Sequence, residues 1–157
     1  MSVEVNNESA LEADLEQLSR LGRHILDSLY VHPEAEVSII LVDEDAIERL
    51  HIDWMDLPGP TDVMSFPMDE LRPGSPGSPT PAGMLGDIVI CPQVAAQQAR
   101  RGGHSTADEI LLLATHGMLH LLGYEHDEPE DKEEMFSLQR GLLEAFLGRP
   151  APRETTE

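Results

Sequence analysis

The segment from His116 to His126, HGMLHLLGYEH, gathers the residues of this chain best able to do chemistry. His116 and His120 stand four apart. On a helix that spacing puts two imidazoles on one face about a turn from each other, so both can grip one metal ion. Gly123 allows a left-handed turn at the helix end, and His126, three residues on, is placed to return as a third ligand. Three neutral imidazoles and a water make an open zinc site of the catalytic type, whereas structural sites close with a fourth protein ligand. The expectation is one zinc ion held by His116, His120 and His126. His24, His32, His51 and His104 lack such company and read as ordinary histidines.

The His, His, Gly, His spacing matches the metzincin protease motif HExxHxxGxxH, with one decisive change. Gly117 stands where a protease carries its general-base glutamate, and glycine has no side chain to take a proton. Glu109 lies seven residues before His116 on the same stripe and reads either as a base or as a partner orienting a ligand. Asp62 and Asp87 fall in strand segments that can edge a cleft. No residue is assigned as catalytic on these grounds.

The element that must carry the histidines is a helix from Thr106 to Leu122. It is apolar nearly all round (Ile110, Leu111, Leu112, Leu113, Met118, Leu119, Leu121, Leu122), and such a helix is buried. Ser105 or Thr106 caps it, and Thr106 with Glu109 reads as a capping box. Around it, Ser2 to Val5 alternates as a short strand, and Leu11 to Tyr30 has the spacing of an amphipathic helix. Glu36 to Val42 reads as a buried strand, after which Asp43 caps a helix from Glu44 to about Trp54. Asp62 to Phe66 and Met84 to Cys91 are strands. Pro92 opens a helix that runs to about Arg101, and a last helix spans about Pro129 to Leu147. Residues 69–83, rich in Pro, Gly and Ser, read as a mobile loop, more as a tolerated surface insertion than as a lid. Four strands and these helices alternate within one α+β (mixed α/β) domain over 1–148, with 149–157 as a disordered tail.

Of 157 residues, 40% are hydrophobic and 25% charged, which suits a globular domain and not a disordered chain. The net charge of -20 argues against the broad basic surface of a nonspecific DNA binder. A metal ion offsets part of that charge locally. Arg100 and Arg101, just before the metal helix, read as a small basic rim or as cations at a helix C-terminus. Cys91 is the only cysteine, so no internal disulfide forms, which suits a reducing compartment. The N-terminus has no signal-peptide pattern, and no apolar run approaches a membrane span of roughly 20 residues. A cytoplasmic protein, with neither DNA nor membrane as partner, is expected.

HGMLHLLGYEHD, together with TDVMSFPMDE upstream and LGDIVIC between, resembles the YbeY family of bacterial rRNA maturation factors, which are single-strand-specific endoribonucleases. The likeness runs from the first strand to the last helix. It implies a small, mostly parallel four-stranded sheet surrounded by helices, with the metal helix central and buried. It also implies His116, His120 and His126 as zinc ligands, and a zinc-dependent endoribonuclease acting in 16S rRNA 3′-end maturation and ribosome quality control. The implied partners are single-stranded RNA, the 16S rRNA precursor, the small ribosomal subunit and its assembly factors. One departure stands out: where many members carry an arginine before the TDVLSFP-like segment, this chain has Met55. Arg49, Arg72, Arg100 and Arg101 are the cations left to replace it. Two other readings are a non-catalytic ribosome assembly factor with a histidine-bound metal, and a metallohydrolase of another bond type.

Overall fold

The computed structural model describes residues 3–154, so Ser2 of the expected first strand and residues 155–157 of the expected tail lie outside the described residues. Four strands form one sheet: β1 (Val3–Asn7), β2 (Glu36–Leu41), β3 (Val63–Pro67) and β4 (Met84–Ile90), in the order β1-β2-β4-β3. β1, β2 and β4 run parallel, and β3 is the antiparallel edge. Five helices accompany them: α1 (Leu15–Ser28), α2 (Glu44–Met55), α3 (Pro92–Gly102), α4 (Thr106–Leu121) and α5 (Pro129–Leu147). The mixed, mostly parallel sheet around a buried α4 agrees with the expected fold.

Alternation along the strands sorts the core into two layers. Val37, Ile39, Leu41, Ile88 and Ile90 face α1, α4 and α5 in the main core. Met64, Val89 and Cys91 face the other way, against Ile47 of α2. Nearly every residue of α4 from Asp108 to Leu121 is buried, because α1, α3, α5 and the sheet all pack on it. That arrangement accounts for its all-round apolar sequence.

Gly117 shows how closely α4 meets the sheet. A Cβ there would lie 2.8 Å from Cγ2 of Ile88 and 3.1 Å from the hydroxyl of Ser65. A glutamate, as in the protease motif, would be driven into the sheet and away from the histidines. The missing base at this position is thus also a packing requirement.

Several local expectations are corrected. α1 begins at Leu15, not Leu11, because the Asp14 carboxylate caps it by accepting from the Gln17 N–H. It ends at Ser28, with Tyr30 in a left-handed conformation at φ 57°. Asp43 is the N-cap of α2 but makes no side-chain cap bond. Its Oδ1 accepts instead from the Ala10 N–H and the Gln93 amide, which lowers its carboxyl pKa. Of the two expected caps of α4 it is Ser105 that serves, accepting from the Asp108 N–H, so Thr106 is not the N-cap that a Thr106–Glu109 capping box requires.

The Pro/Gly-rich segment is tied down at several points. Gly74 N–H donates to the Leu29 carbonyl, Thr80 N–H to the Tyr30 carbonyl, and Met84 N–H to the Asp69 carboxylate. After α5, Arg149 makes two hydrogen bonds to Asp108 at 2.8 and 2.9 Å, and Pro152 is buried. No helix among the described residues is long and apolar enough to cross a membrane.

Candidate metal centre

The C-terminal end of α4 and the turn after it bring His116, His120 and His126 together. One ring nitrogen from each lies within 4.8 Å of the others, so the three can hold one metal ion. His116 is buried and the other two are half-buried. Gly123, at φ 97°, turns the chain so that His126 comes back toward the helix. A side chain there would also strike the Arg72 guanidinium, whose Nε would sit 2.6 Å from the added Cβ.

The hydrogen bonds around the rings decide which nitrogens are offered. His120 Nδ1 lies 2.8 Å from the Tyr124 carbonyl, which can only accept, so Nδ1 carries the proton and Nε2 keeps its lone pair. His116 Nδ1 lies 3.0 Å from Gln139 Oε1, and with the amide turned this way the oxygen accepts, Nδ1 carries the proton and His116 Nε2 keeps its lone pair. Those two Nε2 atoms face each other at 3.1 Å. Two lone pairs at that distance repel unless a cation lies between them, so the donor set fits a metal ion. Burial pushes the pKa of His116 down to about 4, with His120 adding to the effect. Burial also lowers that of His120, against the pull of Glu125. Both rings are then neutral at pH 7, the form that binds metal.

The ring of Phe136 stands 6.0 Å from His116 and 5.8 Å from His126, and walls the site on the α5 side. No carboxylate joins the three imidazoles among the described residues. Asp127 is exposed, and Glu109 is fully buried near the other end of α4, where its carboxylate meets His104 Nε2 at 2.5 Å. Glu109 is therefore engaged by His104, apart from the three-histidine cluster, and His104 is not the solitary residue its sequence context suggested. Asp62 is held by the Val63 N–H and the Gln98 amide. Asp87 lies on the opposite face of the sheet, with Phe66 and Val89. Cys91 is buried and its thiol pKa is raised by that burial, so it offers no nucleophile.

Among the candidate cations, Arg72 rests on the turn between His120 and His126. Arg100 and Arg101 flank the start of α4, about 15 Å from His116 along the helix. Arg49 lies among Asp45, Glu48 and Asp53. Sequence reasoning missed Gln139. The available signal was its place in the buried stripe Met135, Phe136, Gln139, Leu142, Leu143, where a lone amide needs a partner.

A family model described as Endoribonuclease YbeY matches residues 3–147. The chain belongs to the YbeY endoribonuclease family. It is 65% identical over 156 residues to the endoribonuclease YbeY of Renibacterium salmoninarum, covering 99% of each chain. With that of Thermobifida fusca it shares 64% over 143 residues, 91% of this chain and 92% of the relative. The solution structure of a Thermotoga maritima protein superposes with a TM-score of 0.63 at 27% identity, covering 93% of this chain and 89% of that one. Membership makes this chain a nuclease, a hydrolase acting on RNA.

Proposed function

We propose that the chain is a zinc-dependent, single-strand-specific endoribonuclease of the cytoplasm, acting in 16S rRNA 3′-end maturation and ribosome quality control. The small ribosomal subunit and its assembly factors are its partners, and the domain spans 1–148. His116, His120 and His126 are the metal ligands. The observation that carries this reading is the pair of Nε2 lone pairs facing each other at 3.1 Å beside a third imidazole, in a chain of an endoribonuclease family.

A divalent ion in such a site supplies Lewis acidity toward a phosphoryl oxygen and lowers the pKa of a bound water. The residues of the chain do the rest. Gln139 and the Tyr124 carbonyl fix the tautomers and orientations of two ligands. Burial keeps both rings unprotonated, and Phe136 shields one side from water. Three protein ligands leave a coordination position for water or substrate. Gly117 supplies no base and has no room for one, which disfavours a peptidase.

The test is cleavage of an end-labelled single-stranded RNA by the purified protein beside His120→Ala purified identically. Cleavage by the parent alone is expected. Equal cutting by both, or none by either, would favour an assembly factor with a histidine-bound metal. End-group analysis then separates two routes: 5′-phosphate and 3′-hydroxyl ends mean attack by water, and 2′,3′-cyclic ends mean attack by the RNA 2′-hydroxyl.

A further inference from the structure

A groove of about 640 Å³ opens on the face of the sheet that turns away from α4. Its size falls in the range of small-ligand sites. The C-terminal end of α2 and the edge strand β3 form its walls. Three of its side chains lie largely in solvent: Trp54 is 68% exposed, Met55 58% and Met68 56%. Trp54 is the only tryptophan of the chain. Its ring stands edge-on to Phe66 with centroids 5.5 Å apart, so one aromatic props the other in place. Apolar side chains gathered this openly mark a binding surface.

The charges of the groove narrow the choice of occupant. No Lys or Arg lines it. Asp87 lies among the apolar residues and makes no side-chain hydrogen bond or ion pair among the described residues. A carboxylate there accepts hydrogen bonds and repels phosphate, so it suits the amino and imino N–H groups of a nucleobase. A second copy of a chain carrying -20 is repelled. The edge strand β3 is shared between the groove and the metal helix: Ser65 borders the groove, and its hydroxyl donates to the Gly117 carbonyl, next to His116. A single strand crossing the β3 edge reaches both places.

We propose that Trp54 and Phe66, flanked by Met55 and Met68 and with Asp87 within the groove, hold an unpaired nucleobase of the RNA strand. The inference rests on the reading of this chain as a ribonuclease of single strands. Stacking tolerates any base and needs no cation. It therefore lets an acidic protein grip RNA at a groove that no cation lines.

Because Trp54 is the sole tryptophan, its emission reports on the groove directly. The purified protein is titrated with a single-stranded hexaribonucleotide and with an abasic ribose-phosphate hexamer of equal charge, with oligomer integrity checked by gel. Quenching by the base-bearing oligomer and not by the abasic one is expected. In a competition assay Trp54→Ala binds about ten-fold more weakly, with KM for cleavage rising in proportion, and Trp54→Phe recovers most of the loss. Unchanged emission at saturation, or equal affinity for the abasic oligomer, overturns the proposal. If the parent still cleaves RNA in that case, the groove assignment falls alone. If it neither binds nor cleaves RNA, the ribonuclease reading falls with it. Unaltered RNA binding by Trp54→Ala, with lost co-sedimentation with small ribosomal subunits, would overturn it in favour of a protein-binding surface.

Discussion

The two ends of α4 bury polar side chains in opposite ways. At the N-terminal end Glu109 and His104 meet within hydrogen-bond distance, and Asp108 is held twice by Arg149. At the C-terminal end His116 and His120 use their Nδ1 atoms on Gln139 and Tyr124, which leaves two lone pairs face to face. Both ends sit on the same helix within the same core. The difference lies in pairing: at one end each carboxylate meets a donor, with only His104 Nδ1 buried without a partner among the described residues, and at the other acceptors meet acceptors. Carboxylates met by their donors close one end and fix the helix in place, while facing lone pairs leave the other end open to a ligand.

Metal binding tests that contrast with the largest expected effect. Adding zinc to metal-stripped protein at a thousand-fold excess over the dissociation constant stabilises the fold by about 4 kcal/mol. For a chain of this size that raises Tm by on the order of 10 °C. His120→Ala loses that rise, whereas a change at Glu109 leaves it intact. Calorimetric melts of both variants with and without zinc check this, and a zinc-dependent rise in His120→Ala would break the contrast.

Glu109→Ala probes the closed end. The carboxylate is fully buried, and its removal leaves His104 without its partner in the core, a loss of about 3 kcal/mol. Urea unfolding measures it, with zinc stoichiometry unchanged at one per chain. A loss of bound zinc would place Glu109 back among the groups that support the metal.

The contrast was half legible in the sequence, for a physical reason. The three histidines lie within eleven residues, and a helix followed by a glycine turn brings them together by local geometry alone. The strands were legible too, since buried strands concentrate β-branched residues. Glu109 was misplaced because a shared stripe on α4 says nothing about a nearer partner: His104 sits just before the cap and claims it first. The sequence left the cap open between Ser105 and Thr106 because the two carry equivalent hydroxyls, and packing settles it on Ser105. Gln139 and His116 are 23 residues apart and meet only once α5 has docked on α4. Spacing shows which groups share a face, and tertiary packing decides which of them are satisfied.

Gln139→Leu sharpens the open end with a smaller effect. It removes the acceptor that holds the His116 ring and fixes its tautomer, so metal affinity falls about ten-fold with the ligand set intact. Zinc competition with a chromophoric chelator measures it. Affinity equal to that of the parent would make the amide a packing group only.

The smallest effect is expected at Arg149, whose pairing with Asp108 lies at the rim of the closed end, with the guanidinium half in solvent. Solvent screening keeps such a pair weak, so Arg149→Ala lowers Tm by no more than about 3 °C. Its pH dependence carries the information. Hydrogen bonds from Arg149 hold the Asp108 carboxyl below its ordinary 3.8, aided by the charges of Arg149 and His104 and against the effect of burial. A carboxylate whose pKa is lowered by folding stabilises the fold above its unfolded pKa. That contribution fades as pH falls through the lower, folded value. The gap between parent and Arg149→Ala should therefore stay constant from pH 7 to near 4 and shrink below 3.8. Urea midpoints measured across that range give the gap directly. A gap that closes between pH 7 and 5 would instead mean that a histidine, and not Asp108, governs this end of α4.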